Sequence, residues 1–143
     1  MRAVIYHNPK CSKSRAALEY LEKHNIDTNV KLYLDKGITR AELYDILELT
    51  NCRVIDIIRV EEQIFLDKYS TLGCLSSKES FISAIVENPI LLQRPIILFR
   101  EKGIGAIVRS EESLLGLLQQ VGIPLDINIE MDKKDKETEQ TRL

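Results

Sequence analysis

The first 34 residues switch between two periodicities, and this switch constrains the fold more than any other feature of the chain. Residues 3–6 form a short apolar run that predicts a strand, and the apolar side chains of residues 11–24 recur at three- and four-residue steps, which predicts a helix. Residues 28–34 then alternate polar and apolar side chains, which predicts a second strand. Strand, helix and strand in succession form a βαβ unit whose parallel strands need cover on both faces, so we expect an α/β domain.

A mostly helical segment is expected to follow over about residues 38–92. Thr39 and Glu42 have the spacing of a capping box, which predicts that a helix begins there. Two more helical stretches are predicted over residues 54–58 and 77–87, the second because its apolar side chains recur with helical spacing.

Two apolar runs at residues 95–99 and 105–108 flank the turn Glu101-Lys102-Gly103, and this spacing predicts an antiparallel hairpin. Together with the two earlier strands, the hairpin gives a mixed four-stranded sheet. A last helix is predicted to begin at Ser110 and to end at Gly122.

A chain of 143 residues, 44% of them hydrophobic, has the size and apolar content of one domain with one core. We predict a single domain over residues 1–122, with the helical segment inserted into it. Residues 123–143 end in an almost wholly charged and polar run without apolar periodicity, so we expect a disordered tail there.

The charge and hydropathy of the chain argue against several classes of partner. A formal net charge of -2 argues against a nucleic-acid binder, which usually carries a basic face. No run reaches the roughly 18 apolar residues of a membrane span, and the N-terminus turns polar too early for a signal peptide. We therefore expect a cytoplasmic protein that binds neither membrane nor nucleic acid.

The three cysteines, Cys11, Cys52 and Cys74, are an odd number at wide spacing. This pattern fits neither a disulfide scaffold nor a metal site with paired ligands. We expect free thiols, no metal and no tightly bound cofactor, and the remaining question is whether one of the thiols is chemically activated.

Cys11 is the candidate for an activated thiol because it stands at the start of the first predicted helix. The N-terminus of a helix favours a thiolate over a thiol, and Lys10, Lys13 and Arg15 add positive charge beside it. The same N–H groups and cations also hold oxyanions, so Arg15 is a candidate substrate-binding residue. The alternative is that Cys11 packs as a small hydrophobic side chain, as most free cysteines do.

His7 follows the first strand and is open to two interpretations. It either stabilises the thiolate or moves a proton during catalysis, or it is a turn residue that never titrates in the reaction.

The sequence resembles a known family, the glutaredoxin-coupled arsenate reductases and their relatives with a thioredoxin-like fold. The resemblance covers residues 4 to 119 and rests on blocks that occur in a fixed order. These blocks are residues 6–15, Leu32-Tyr33-Leu34, Ile57-Ile58-Arg59, residues 88–97 and Ile107-Val108-Arg109-Ser110.

The resemblance implies that Cys11 is the catalytic nucleophile and that Arg59, Arg94 and Arg109 complete an oxyanion site. A guanidinium suits this task because it is always charged and binds oxyanions through two parallel hydrogen bonds. The resemblance also implies that Pro95 follows a cis peptide bond beside the thiol. For each arginine the alternative is a surface charge whose aliphatic stem packs on the core.

The function implied by the resemblance is the reduction of arsenate to arsenite, a step in arsenic detoxification. Glutathione is then a co-substrate, and glutaredoxin regenerates the thiol. Ser14 stands where Cys-x-x-Cys oxidoreductases have their second cysteine, so the resolving thiol is external unless Cys52 or Cys74 lies near Cys11.

Two alternative functions remain. Transcription regulators with a thioredoxin fold that contact RNA polymerase resemble the same family, although they typically carry a Cys-x-x-Cys switch in this turn. A related thiol reductase with a substrate other than arsenate would share the same residues.

Overall fold

Four strands form one mixed sheet in the computed structural model of the chain, which describes residues 2–71 and 75–124. The first two strands are parallel and the others antiparallel, in the spatial order β2-β1-β3-β4. This confirms the predicted mixed sheet and its hairpin. The strands are β1 (Arg2–Tyr6), β2 (Asp27–Lys31), β3 (Ile96–Phe99) and β4 (Ile104–Ile107).

Six α-helices accompany the sheet in the described part of the chain, and none of them is long and apolar enough to cross a bilayer. The capping box predicted for Thr39 and Glu42 is confirmed, and Ser77 and Ser110 cap their helices in the same way. The helices are α1 (Ser12–Lys23), α2 (Tyr33–Lys36), α3 (Arg40–Thr50), α4 (Gln63–Lys68), α5 (Lys78–Glu87) and α6 (Glu111–Gln120).

Both faces of the sheet are covered, as the parallel pair requires. Alternate residues of a strand point to opposite faces, and the two central strands therefore serve two cores. Val4 and Leu98 belong to the cluster beneath α3 and α5, whereas Ile5 and Ile97 belong to the cluster beneath α1 and α6. The result is a helix–sheet–helix arrangement.

The second strand is shorter than predicted. We expected a strand over residues 28–34, but β2 ends at Lys31, and the chain turns into α2, where the N–H groups of Asp35 and Lys36 donate to the Leu32 carbonyl. Because β2 is an edge strand and its ladder ends where His7 N donates to Lys31 O (3.0 Å), the backbone finds hydrogen bonds locally.

The inserted segment also differs in detail from the prediction. Residues 54–58 were expected to be helical, and they contain only a 3-10 turn at Val54–Asp56. Helix α4 was not predicted. The 3-10 turn Pro89–Leu91 then leads into β3. Cys74 and residues 125–143 of the tail predicted over residues 123–143 lie outside the described residues.

At the edge of the sheet where β1 ends, β4 also ends and β3 begins. Tyr6 pairs with Ile96, and Ile96 pairs with Ile107, so these residues form a row across β1, β3 and β4. Because β3 runs against its neighbours, the chain leaves β1, enters β3 and leaves β4 at the same edge. Arg94 and Arg109 therefore lie just beyond this row, close to the turn that follows β1.

Gly105 in β4 should be sensitive to the smallest added side chain. A Cβ there would lie 2.5 Å from Leu98 Cδ2 and 3.1 Å from the Ile97 carbonyl oxygen, and both of these residues are fully buried. We expect Gly105→Ala to lower the free energy of unfolding in urea by about 1–3 kcal/mol.

Gly116→Ala is the matched control, because a Cβ there meets no atom within 4 Å and the residue lies inside α6. Alanine should raise the free energy of unfolding by about 0.5–1 kcal/mol at that position. Equal effects of the two substitutions would contradict the packing described around β4.

Candidate active site

The turn between β1 and α1 places Cys11 at the N-terminus of the helix. The Asn8 side chain accepts a hydrogen bond from the Lys10 N–H (2.9 Å), and the Asn8 carbonyl accepts one from the Cys11 N–H (3.0 Å). Cys11 is the N-cap residue, with extended backbone angles, and is half-buried. The predicted position of the thiol is therefore confirmed.

The surroundings of Cys11 lower the pKa of its thiol. Burial alone would raise the pKa, but the backbone N–H groups of Ser14 and Lys13 and the guanidinium of Arg94 outweigh it by favouring the thiolate. The site holds a thiol that ionises more readily than an ordinary cysteine.

Arg94 and Arg59 are neighbours because two short segments pair next to the sheet. Ile58 and Leu92 form an antiparallel bridge, in which Arg59 N donates to Leu91 O (2.7 Å) and Gln93 N donates to Ile57 O (2.8 Å). The side chains of Arg59 and Arg94 are each only 14% exposed. Residues that are far apart in the chain thus present two guanidiniums at one place.

Glu62 joins the two arginines. Its Oε1 accepts a hydrogen bond from Arg59 Nε (2.9 Å) and lies 3.5 Å from Arg94 Nη1. The Gln93 side chain adds a second acceptor for Arg59, from Nη1 to Oε1 at 3.1 Å. Both arginines are therefore held by acceptors rather than turned into solvent.

Arg109 approaches the cluster from the end of β4. Val108 N donates to Pro95 O (2.9 Å), which extends the hairpin ladder, and Arg109 Nη1 then donates to the Arg94 carbonyl (2.6 Å). The Arg94–Pro95 peptide bond is cis, as the resemblance implied. Lys13 Nζ donates to the Arg109 carbonyl (2.8 Å), which connects the hairpin to the turn that holds Cys11.

Arg15 has a different placement from the other three arginines. It is exposed, and its Nη1 donates to the Pro9 carbonyl (2.8 Å) across the turn. Its assignment as a substrate-binding residue stays a prediction.

His7 is paired with Ser14. Its imidazole is 6% exposed, and Nδ1 lies 2.6 Å from Ser14 Oγ, which also accepts a hydrogen bond from the Asn8 N–H (3.0 Å). Burial lowers the pKa of His7, the charge of Arg15 lowers it further, and Glu22 opposes them. The imidazole is therefore neutral at neutral pH, and its catalytic role stays a prediction.

Tyr33 lies against the same cluster. The side chain is 1% exposed, and its hydroxyl has no hydrogen-bond partner within residues 2–71 and 75–124. Burial raises the pKa of Tyr33 to about 12, with opposing contributions from Arg94, which lowers it, and Cys11, which raises it. The hydroxyl is therefore protonated at neutral pH and is a potential donor in the site.

The other described cysteine belongs to a different part of the fold. The sulfur of Cys52 donates to the Thr50 carbonyl (3.7 Å) beyond α3, and the residue packs against the core beneath that helix. Among the described residues, no group of three or more His, Cys, Asp or Glu side chains could hold a metal ion.

The structure thus brings together Cys11, Arg59, Arg94 and Arg109, and adds residues that the sequence analysis missed. Tyr33 was assigned to a strand, which hid its approach to the site. Glu62 and Gln93 carry no clear signal in the sequence, since acidic and amide side chains near arginines are common. The missed residues are Ser14 as the partner of His7, Tyr33, Glu62 and Gln93.

The sheet order, the cis-proline beside the thiol and the cysteine at the start of α1 define a thioredoxin-like α/β protein. The sequence profile of the ArsC family matches residues 6–117. The chain belongs to the ArsC family.

Relatives and solved structures agree on the family and differ in function. An arsenate reductase of Neisseria meningitidis is 38% identical over 120 residues, which are 80% of this chain and 96% of the relative. The global transcriptional regulator Spx 2 of Bacillus cereus is 33% identical over 130 residues, 91% of this chain and 96% of the relative. The structure of an arsenate reductase from Vibrio cholerae is 33% identical in sequence and superposes with a TM-score of 0.75. The match covers 82% of this chain and 98% of the Vibrio chain.

The lowered pKa of Cys11 predicts rapid alkylation below the pH at which ordinary thiols react. In a chain carrying Cys52→Ser and Cys74→Ser, we expect the iodoacetamide rate to rise with pH around a midpoint below the ordinary value of about 8.5. Arg94→Leu should move the midpoint upward, because a cation that favours the thiolate is lost.

Arg53→Leu is the control for that substitution, since the Arg53 side chain is 80% exposed and pairs only with Asp56 among the described residues. Its midpoint should equal that of the parent chain. A midpoint at the ordinary value in the parent would rule out an activated Cys11.

The lowered pKa of His7 predicts a loss of stability on the acid side. Well above pH 6.5 the imidazole is neutral in both states; as the pH falls through about 6.5, the unfolded chain binds a proton that the folded chain resists. The free energy of unfolding in urea should therefore decrease on acidification through this range. His7→Gln should remove that part of the decrease, and His24→Gln, which retains His7, should keep it.

Proposed function

We propose that this protein is a thiol-dependent oxidoreductase that reduces an oxyanion, most readily arsenate, with Cys11 as the nucleophile. The observation that carries the proposal is that Arg94 favours the thiolate of Cys11 and is itself joined to Arg59 through Glu62 and to Arg109 through its own carbonyl. Guanidiniums bind the oxygens of a tetrahedral oxyanion, and a thiolate attacks its central atom. The arsenate reductases among the relatives favour arsenate as the substrate.

In the first step the Cys11 thiolate attacks arsenic. A sulfur–arsenic bond forms, an arsenic–oxygen bond breaks, and the oxygen leaves as water after it is protonated. During this attack the arginines stabilise the negative charge of the arsenate oxygens.

Reduction follows when glutathione attacks the sulfur of Cys11. A sulfur–sulfur bond forms, the electron pair of the sulfur–arsenic bond stays with arsenic, and arsenic falls from the +5 to the +3 state and leaves as arsenite. The mixed disulfide of Cys11 and glutathione is then reduced by glutaredoxin. We expect an external thiol because the nearby hydroxyl of Ser14 cannot form a disulfide, with Cys52 or Cys74 as the alternative resolving thiol.

The test is arsenite production by the purified full chain with glutathione, glutaredoxin and a reductant of the glutathione pool. Cys11→Ser should lose activity by about 10³-fold or more, because it removes the nucleophile. Arg94→Ala should lose about 10²-fold, the typical effect of removing one oxyanion-stabilising donor.

The matched controls are Cys52→Ser and Arg53→Ala, which remove the same chemical groups outside the site and should retain full activity. Full activity in Cys11→Ser would refute the nucleophile. An inactive wild type whose Cys11 is still readily glutathionylated would favour a thiol reductase with a different substrate.

The similarity to Spx 2, which extends over 91% of this chain, favours a transcriptional regulator as a second candidate. A regulator of this type would bind purified RNA polymerase and would leave arsenate unreduced. Ser14 weighs against a redox switch within the turn, because it cannot pair with Cys11.

A further inference from the structure

Glu62 places a negative charge inside a cluster proposed to bind an anion. Its side chain is 24% exposed, against 14% for Arg59 and for Arg94, so it belongs to the cluster rather than to the surface. Like charges that share a partly buried site repel each other strongly. An oxyanion bound by the same arginines is therefore repelled by this carboxylate unless it donates a hydrogen bond to it.

The two oxygens of Glu62 have different surroundings. Oε1 faces both guanidiniums, at 2.9 Å from Arg59 Nε and 3.5 Å from Arg94 Nη1. Oε2 accepts no hydrogen bond from residues 2–71 and 75–124. A carboxylate held by two guanidiniums can only accept hydrogen bonds, so Oε2 is an acceptor beside the anion-binding groups.

We propose that Glu62 makes the site selective for oxyanions that carry a proton. Hydrogen arsenate and hydrogen phosphate have an O–H group that donates to Oε2, while their other oxygens accept from the arginines. Sulfate has the same charge at mildly alkaline pH but carries no proton. Its oxygens can only accept hydrogen bonds, as Glu62 Oε2 does, so no hydrogen bond forms between them. This inference rests on the proposed function, because it requires that the arginines bind an oxyanion.

Such selection follows from the cost of unsatisfied groups. A site built to pair with a substrate hydroxyl discriminates strongly against an analogue that lacks it, since buried polar groups are then left without partners. The carboxylate thus separates tetrahedral dianions of equal charge by whether they carry a proton, which the arginines by themselves cannot do.

Glu62→Gln separates this role from simple positioning of the arginines. The glutamine oxygen can still accept from Arg59 and Arg94, and its amide NH₂ then takes the place of Oε2. The substitution therefore keeps the clamp on the guanidiniums and turns the acceptor into a donor. Sulfate should gain affinity, and hydrogen arsenate should lose some.

The experiment is calorimetric titration of the full chain with inorganic arsenate, phosphate and sulfate in turn, at mildly alkaline pH. We expect the wild type to bind arsenate and phosphate at least about tenfold more tightly than sulfate, and Glu62→Gln to remove most of this preference. Glu61→Gln is the matched control. It removes the same charge 3.5 Å from Arg59, but Glu61 is 61% exposed, so the preference should remain.

Three results would overturn the inference in different ways. Equal affinity of the wild type for sulfate and arsenate would exclude selection while leaving the oxyanion site intact. A parallel loss for all three anions in Glu62→Gln, with unchanged thermal unfolding, would show that Glu62 only positions the arginines. A wild type that binds none of the anions would refute the proposed oxyanion function itself, and the selectivity with it.

Discussion

The register of β1, β3 and β4 is the constraint on which the rest of the structure depends. Because Tyr6, Ile96 and Ile107 stand in one row, three separate stretches of chain cross the same edge of the sheet. A slip of one residue would exchange the two faces of a strand, and the apolar clusters on the two faces would no longer fit. The packing that holds the register therefore also holds Arg94 and Arg109 beside the turn of Cys11.

The charges of the site depend on one another once the register has brought them together. Guanidiniums crowded at one edge would repel each other, and the structure opposes this with acceptors: Glu62, Gln93 and the Arg94 carbonyl. The arginine nearest the sulfur lowers the pKa of Cys11, so the anion-binding groups and the activation of the nucleophile share one physical origin. The neutral His7 and the protonated Tyr33 add no net charge to this balance.

Predictions from the sequence succeeded where the governing interactions are local. The helix start at Cys11, the capping box of Thr39 and the hairpin of β3 and β4 each depend on a few neighbouring residues. The strand prediction over residues 28–34 was wrong at its end, because alternation of side chains does not reveal that an edge strand has run out of partners. Tyr33 was missed as a neighbour of the site for the same reason.

The sequence by itself determined an α/β chain with a cysteine at the first turn of a helix, where helix geometry and adjacent cations favour a thiolate. Only the tertiary structure decided which distant groups meet that thiol. Arg59 arrives through the bridge of Ile58 with Leu92, and Arg109 through the hairpin ladder, and neither periodicity nor local charge records such pairings. The same holds for Glu62, whose effect on the site depends on which side chains surround it, and these come from parts of the chain that only folding brings together.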